Sequence, residues 1–291
     1  MVEVLLILDG ASEPSGDAPT TLAEASMPHL AVLSRSGEVT RLATVPPGLA
    51  PGSESAIPVL LGYTPRAPVD RAAIEAAAHD IAIPAGARAW RVDVRDGDGG
   101  RADAAATARA AAELRAAGHV VHHLRGHRLL VVGAAPPPSN ERREVWPRGA
   151  TLPRVLDART LVIGARGAAV GVAALLGADV AIPDEATGDV DTDLRAKLVA
   201  AHQAIAEQRH RVVVHVGGAD EAAHRRDRAA KVAFLERVDG ELIGPLAAVV
   251  ADAHGTLRIC PDHGCDPATG RHDADPVLHV SWTPATTAVV A

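Results

Sequence analysis

Acidic, histidine and serine residues follow apolar segments at several points along the chain. They are Asp9, Ser53, Asp220 with His224, Asp262 with His263, and His272. Asp220 and His224 are four residues apart, so in the first turn of a helix both side chains face the same way and can share one cation. Asp262 and His263 are adjacent, and in a loop they can diverge toward two different ions. Two metal sites are therefore possible.

The donor types narrow the choice of metal. Carboxylates combined with imidazoles suit Mn²⁺, Zn²⁺ or Co²⁺ better than Ca²⁺ or Mg²⁺, which prefer shells made of oxygen alone. Taken singly, an Asp or a His is more often a solvated surface residue than a ligand. The interpretation therefore depends on whether the fold brings these residues together.

An alternating pattern of strands and helices must position these residues. Residues 2–8 form a continuous β-favouring run without alternation, typical of a central strand covered on both faces, and the run ends at Asp9. A helix is expected from Glu54 to Leu61, with Ser53 at its amino end. From residue 160 onward, strands and helices alternate, which predicts a mostly parallel sheet with helices on both faces. Sites in such folds lie at the carboxyl ends of the strands.

Residues 83–138 interrupt this pattern. A strand at 89–94, a helix at 103–117 and short strands at 120–123 and 128–132 predict a compact βαββ unit. Three consecutive prolines between Ala134 and Asn140 mark a linker that would close it. We therefore predict a catalytic domain formed by residues 1–82 and 139–291, with an inserted lid at residues 83–138.

Composition limits the kinds of partner. A chain of 291 residues with 47% hydrophobic content can bury a full core. A net charge of −7 without basic blocks argues against nucleic acid or membrane partners and favours a small soluble substrate. Two cysteines and the lack of a signal-peptide pattern in the first residues predict a cytoplasmic protein.

Two further residue types carry weaker expectations. Cys260 and Cys265 are expected to be a buried thiol and a loop thiol, with a disulfide between them as the alternative. Lysine occurs only at Lys197 and Lys231, among many arginines, and we attribute this bias to genome composition.

Six ordered segments resemble the motifs of the archaeal-type cofactor-independent phosphoglycerate mutases, within the alkaline phosphatase superfamily. They are 8–10 (LDG), 50–56 (APGSESA) with 61–65 (LGYTP), 186–192 (ATGDVDT), 215–224 (HVGGADEAAH), 261–264 (PDHG) and 272–276 (HDADP). The resemblance spans nearly the whole chain in the family's order.

The resemblance implies a fold and a set of roles. The fold is an α/β, alkaline-phosphatase-like three-layer sandwich with a mostly parallel central sheet and a small inserted α+β lid. One metal ion would be held by Asp9, Ser53, Asp262 and His263, and the other by Asp220, His224 and His272. The cofactors are thus two divalent metal ions, with Mn²⁺ as the first choice and Zn²⁺ or Co²⁺ as alternatives.

Ser53 would be the nucleophile of this centre. Coordination to a cation stabilises a serine alkoxide, and a helix amino terminus favours an incoming anion. A second ion would take up charge on the leaving oxygen in an in-line displacement. The result is a phosphoserine, from which a mutase returns the group to another hydroxyl and a phosphatase transfers it to water.

The chain also departs from the family. The insertion is much shorter than the family's lid, Asp70 and Ala72 replace two glycines, and Pro58 is expected to disturb the second turn of the helix after Ser53. Arginine and histidine side chains still resemble the family's anion-binding set, with ordinary surface arginines as the alternative; these are Arg71, Arg91, His127 and Arg128.

Three hypotheses for function follow. The first is a two-metal phosphotransferase acting on a small carboxylated phosphate or phosphonate, in specialised metabolism. The second is a phosphomonoesterase, which the short lid favours because a small lid excludes less water from a waiting phosphoserine. The third is a metal-bound regulatory or scaffold homologue that has lost turnover.

Overall fold

A computed structural model describes residues 1–14, 16 and 19–285 of the chain. Its strands are β1 (Glu3–Leu8), β2 (Glu38–Leu42), β3 (Arg88–Val94), β4 (Val120–Arg125), β5 (Arg128–Gly133), β6 (Arg143–Val145), β7 (Thr160–Ile163), β8 (Asp179–Ala181), β9 (Arg211–Val216), β10 (Thr256–Cys260), β11 (Gly264–Asp266), β12 (Arg271–Asp273) and β13 (Val277–Trp282). Its helices are α1 (Thr21–Glu24), α2 (Pro28–Ser36), α3 (Ser53–Leu60), α4 (Arg71–Ala78), α5 (Ala104–Ala116), α6 (Ala168–Leu176), α7 (Leu194–Ala206), α8 (Gly218–His224), α9 (Arg228–Val238) and α10 (Gly244–Asp252), with a π-helical turn, Asp239–Ile243, between the last two.

Seven strands form the central sheet, in the order β2, β13, β10, β1, β9, β7, β8. The five strands from β10 to β8 run parallel, and β13 and β2 extend one edge in antiparallel pairing. Strand β1 pairs with β10 on one side and β9 on the other, so the carboxyl ends of these three strands are neighbours. The mostly parallel sheet predicted from the sequence is confirmed.

Helices cover both faces of this sheet, and β1 shows why. Its alternate residues Val4, Leu6 and Leu8 belong to an apolar cluster that includes residues of α7, α9 and α10. Leu5 and Ile7 belong to a second cluster with residues of α3, α4 and α6. Each fully buried side chain of this kind stabilises the fold by roughly 1.5–3 kcal/mol. The predicted three-layer α/β architecture is confirmed.

A second sheet, in the order β4, β5, β3, β6, is antiparallel throughout. One face packs against α5, and the other packs through Leu130 and Val132 against Ala72 and Ala76 of α4. The sheet extends past the predicted closing point at residue 138, because Val145 of β6 pairs with Val92 of β3. The division into domains, and the role of this sheet as a lid, stay predictions.

Two local expectations differ from the structure. Helix α3 continues through Pro58 to Leu60, and the N–H of Leu61 still bonds to the carbonyl of Ile57, since a proline removes only one main-chain hydrogen bond. The sequence pattern predicts one long helix from Glu221 to Gly240, but the structure has α8, which begins at Gly218 and ends at His224, followed by a separate helix α9.

Across the described residues, we find no helix that combines the length and the apolarity that crossing a membrane requires.

Candidate metal centre and active site

The first group of predicted ligands lies where β1 and β10 end side by side. Asp9 follows β1, and Asp262 and His263 follow β10. The N–H of Gly10 donates to Oδ1 of Asp262 over 3.1 Å, which ties the two strand ends together. Gly10 has a φ of 63°, and a Cβ atom there would lie 2.6 Å from Oδ1 of Asp220. Only glycine permits this approach without displacing the carboxylate.

Ser53 reaches the same point from the first position of α3. Its Oγ lies 3.4 Å from both carboxylate oxygens of Asp9 and 3.4 Å from Nε2 of His263. That Nε2 is also 3.5 Å from Oδ2 of Asp262. Nδ1 of His263 donates to the carbonyl of Gly264, so a neutral ring turns the lone pair of Nε2 toward the other three side chains. The structure thus brings together the four residues predicted for one ion.

Asp220, His224 and His272 form a second cluster. Nε2 of His224 and Nε2 of His272 are 2.9 Å apart, and they lie 3.2 and 3.1 Å from the carboxylate oxygens of Asp220. Nδ1 of His224 donates to the carbonyl of Gly270, and Nδ1 of His272 to that of Pro51. In its neutral form each ring therefore turns the lone pair of Nε2 toward the carboxylate. This arrangement allows the three side chains to face one cation.

The charges of the two clusters fit divalent cations. Oδ1 of Asp220 and Oδ2 of Asp262 are buried with no hydrogen-bond partner among the described residues. Burial, together with the negative charges of Asp262 and Asp220, raises the pKa of Asp9 well above its usual range. Although burial alone would raise it, the imidazoles of His224 and His272 beside the carboxylate hold the pKa of Asp220 well below its usual range. Buried carboxylates this close to one another need positive charge to offset them.

Two residues that the sequence analysis did not assign support this centre from behind. His215, in β9, places Nε2 3.1 Å from Oδ2 of Asp9, and burial lowers the pKa of His215 to about 4, so the ring is neutral. Lys197 donates from Nζ to the carbonyl of His215 over 2.9 Å and is fully buried. The restriction of lysine to positions 197 and 231 was a usable signal, because both lysines are completely buried.

The two cysteines are both buried and free, so no disulfide joins them. Cys265 lies in β11 and not in a loop as expected, because β11 pairs with β12 in a short hairpin. Burial, followed by the charge of Asp220, raises the pKa of the Cys265 thiol. Cys260 donates its S–H to the carbonyl of Pro261.

A cavity of about 750 Å³ opens between the two clusters and the smaller sheet. Side chains of both clusters line it, including Ser53, Asp9, Asp220 and His272, and so do eight arginines. A concave site with convergent positive charge next to a metal centre suits a small anionic ligand.

The four predicted substrate residues all line this cavity, with different surroundings. Arg71 pairs with Glu54, and its guanidinium carbon lies 3.9 Å above the Trp146 ring. Arg128 carries an Nε without a hydrogen-bond partner among the described residues, and burial, followed by the charge of Arg91, lowers the pKa of Arg128. An under-satisfied guanidinium of this kind is suited to bind an anion.

Arg91 and His127 are engaged with a carboxylate of the smaller sheet. Arg91 donates two hydrogen bonds to Asp93, of 2.9 and 3.0 Å, and Nε2 of His127 lies 3.7 Å from the same side chain. Although burial alone would raise it, the nearby His127 and the hydrogen bonds of Arg91 hold the pKa of Asp93 well below its usual range. Part of the positive charge of Arg91 is therefore already offset within the cavity wall.

The fold and these two clusters are those of an α/β metalloenzyme in which a serine hydroxyl lies among the predicted metal ligands. A family model described as the metalloenzyme superfamily matches residues 1–289, and the chain belongs to that superfamily.

Two curated relatives share the chain's full extent. The chain is 28% identical to a 2,3-bisphosphoglycerate-independent phosphoglycerate mutase of Methanopyrus kandleri, over 96% of this chain and 87% of the relative. It is also 28% identical to 2,3-bisphosphoglycerate-independent phosphoglycerate mutase 1 of Archaeoglobus fulgidus, over 95% of this chain and 88% of the relative. The resemblance found in the six motifs, and the prediction of a metal-dependent enzyme related to these mutases, are confirmed.

Solved structures agree on the fold. A Pyrococcus horikoshii protein superposes with a TM-score of 0.78 at 22% identity, covering 98% of this chain and 86% of that one. The cofactor-independent phosphoglycerate mutase of Thermoplasma acidophilum superposes with a TM-score of 0.60 at 17% identity, covering 98% and 90%.

Proposed function

We propose that this chain transfers a phosphoryl group within a small phosphorylated carboxylate, through a covalent intermediate on Ser53. The observation that carries the proposal is the position of Oγ of Ser53, which lies 3.4 Å from Asp9 and from His263 at the first position of α3. The arginine-lined cavity beside it supports an anionic substrate. The curated relatives, named as phosphoglycerate mutases, support a phosphoglycerate-like compound.

The two clusters would each hold one divalent ion. Asp9, Ser53, Asp262 and His263 would hold the first, and Asp220, His224 and His272 the second. When bound, such ions stabilise the serine alkoxide and the charge on phosphoryl oxygens. Mn²⁺ is the first choice, with Zn²⁺ and Co²⁺ as alternatives, because the donors are carboxylates and imidazoles.

The chain's own residues would do the rest of the work. Ser53 loses its hydroxyl proton as Oγ attacks the phosphorus atom, the bond from phosphorus to the substrate oxygen breaks, and that oxygen takes up a proton, so the step consumes no net proton. The main chain at the start of α3 favours the incoming anion. Arg128 and Arg71 would bind the phosphate and carboxylate groups. Arg91 would contribute the part of its positive charge that Asp93 does not offset, and His127 would contribute a ring N–H as a hydrogen-bond donor.

A mutase then returns the group from Ser53 to a second hydroxyl of the same substrate. The phosphomonoesterase alternative is favoured by the small size of the unit beside the cavity. This unit consists of the four-stranded sheet and the single helix α5 packed against it. A phosphonate of specialised metabolism is the alternative substrate. A cytoplasmic location stays a prediction.

The test is intact-protein mass spectrometry of the metal-loaded enzyme mixed with 3-phosphoglycerate, together with ³¹P NMR of the products. We expect a phosphorylated protein and 2-phosphoglycerate, both abolished in Ser53→Ala. Ser55→Ala is the matched control on the same helix, because Oγ of Ser55 bonds only to the carbonyls of Ala50 and Gly52 among the described residues.

The other outcomes separate the hypotheses. Inorganic phosphate without an isomerised product would select the phosphomonoesterase. The absence of any reaction with phosphate esters and phosphonates in a protein that holds both metals would support the non-catalytic homologue.

A further inference from the structure

A fourth potential ligand lies in the second cluster. One ligand atom each from Asp220, His224, Cys265 and His272 lies within 4.8 Å of all the others. Cys265 is directly opposite His272 in the hairpin of β11 and β12. Directly paired residues of an antiparallel hairpin project to the same face, with Cβ atoms about 4.5–5.5 Å apart. The hairpin itself therefore presents a thiol and an imidazole to the same point.

The main chain of Cys265 is held on both sides. Its N–H donates to the carbonyl of Ser12 over 2.9 Å, and its carbonyl accepts a 2.7 Å hydrogen bond from Nζ of Lys231. Lys231 is fully buried and pairs with Glu13 over 3.0 Å. Hydrogen bonds that fix the main chain of a residue in this way are typical of metal ligands, whose side chains must keep a set geometry.

We propose that Cys265 binds the second metal ion as a thiolate, so that this ion has two imidazoles, one carboxylate and one sulfur as donors. The inference rests on the two-metal centre of the proposed function but not on the reaction. On binding, the S–H bond breaks, a sulfur–metal bond forms, and the proton passes to solvent.

The sulfur changes the expected metal. Thiolate and imidazole donors favour Zn²⁺ or Co²⁺, whereas the site of Ser53 is richer in oxygen donors and suits Mn²⁺. The two sites would then select different ions. With four protein ligands, the second ion would bind substrate by adding a fifth ligand. Zinc in catalytic sites sometimes expands to five ligands in this way.

Cys260 offers a matched control. It is also fully buried, but it is not part of the ligand cluster, and its S–H donates a hydrogen bond to the carbonyl of Pro261. Replacing either cysteine by serine removes one sulfur atom from a buried position, yet only Cys265→Ser should alter the metal's surroundings.

The experiment is a Co²⁺ titration of the full-length metal-free protein, followed by its near-ultraviolet thiolate-to-cobalt charge-transfer absorption. We expect the band in the wild type and in Cys260→Ser, and its loss in Cys265→Ser. In Zn²⁺ and Mn²⁺ competition, the preference of the second site for Zn²⁺ should fall by roughly tenfold or more in Cys265→Ser. X-ray absorption at the zinc edge of the wild type should show one sulfur neighbour at about 2.3 Å.

Two results would overturn the inference: a charge-transfer band that persists in Cys265→Ser, or a zinc edge showing nitrogen and oxygen neighbours alone. The zinc edge needs no variant, so it decides the question even if Cys265→Ser does not fold. Binding of two ions per chain without sulfur would refute only the role of Cys265. Failure of the wild type to bind two ions would instead contradict the two-metal centre.

Discussion

At the residue scale, the centre depends on side chains that lie behind the ligands. His215 contacts Asp9 through Nε2, and Lys197 holds the main-chain carbonyl of His215. A hydrogen bond from a neutral ring to one oxygen of Asp9 orients the other oxygen toward Ser53 and His263. Partners of this kind commonly set metal affinity although they do not touch the metal.

Replacing His215 by alanine should therefore weaken binding of the first ion. The expected loss of affinity is about 10- to 100-fold, because Asp9 loses its orienting partner. Isothermal titration calorimetry of the metal-free protein with Mn²⁺ measures the affinity. His210→Ala serves as the control, because His210 is exposed and directly precedes the same strand, β9. An unchanged dissociation constant in His215→Ala would refute the positioning role.

Lys197 predicts a dependence of stability on pH. Burial lowers the pKa of Lys197 to about 8, against about 10.4 for a lysine in the unfolded chain. Between these values the unfolded chain binds a proton that the folded chain does not, so the free energy of unfolding contributed by this group rises with pH. From pH 8 to pH 10.5, the free energy of unfolding of the wild type should rise relative to that of Lys197→Met by an amount on the order of 3 kcal/mol, at roughly 1.4 kcal/mol per pKa unit.

Urea denaturation of the wild type and of Lys197→Met, at pH 8 and at pH 10.5, measures this difference. The two curves should move apart as the pH rises. A difference in unfolding free energy that stays constant over this range would show that the amine does not titrate there.

At the element scale, the packing of α6 on α4 positions one wall of the cavity. Gly171 lies in the middle of α6, and a Cβ atom there would overlap the carbonyl oxygen of Ile74 in α4. Helix packing therefore explains this glycine. Because Arg71 is the first residue of α4, a displaced α4 moves a predicted substrate residue.

Gly171→Ala should lower the free energy of unfolding by about 1–3 kcal/mol through this overlap and should raise KM more than it lowers kcat. Gly240→Ala is the control, because no heavy atom outside its own chain neighbours lies within 4 Å of its added Cβ. The free energy of unfolding of Gly240→Ala should rise by roughly 0.5–1 kcal/mol, because alanine is a better helix former than glycine. Equal stabilities in urea denaturation would rule out the tight contact.

At the scale of the whole molecule, the ion pairs of Arg101 and Arg125 join the smaller sheet and its loops to the part of the protein that carries the predicted metal ligands. Arg101 donates to Glu221, the residue after Asp220, over 3.0 Å, and Arg125 lies 3.9 Å from Asp189. Both pairs are partly exposed, so each contributes no more than about 1 kcal/mol to closure. Closure matters because water that reaches a phosphoserine hydrolyses it.

Arg101→Ala should therefore shift the outcome from transfer toward hydrolysis. We expect the ratio of inorganic phosphate to isomerised product to rise roughly two- to fivefold, which corresponds to an exposed ion pair. ³¹P NMR of the reaction mixture measures the ratio, with Arg142→Ala, on an exposed turn before β6, as the control. An unchanged ratio would mean that this ion pair does not control water access.

The sequence by itself determined the fold class, and it predicted a ligand set whose members the structure brings together. The uninterrupted apolar run at residues 4–8 of β1 predicts a strand buried on both faces, because each side chain of such a run needs an apolar neighbour. The residues Asp9, Ser53, Asp220 and His263 were recognisable because metal chemistry accepts few side-chain types and the motifs preserve their order.

Only the tertiary structure decided which residues meet. Cys265 faces His272 through hairpin pairing, and Arg91 is engaged with Asp93 through neighbouring positions on one strand face. The sheet register likewise brings His215 to Asp9, and it adds β6 to the smaller sheet beyond the predicted boundary. These contacts could not be predicted from local patterns, because the pairing of strands depends on the burial and hydrogen bonding of the whole chain, whereas residue type and spacing report only local preference.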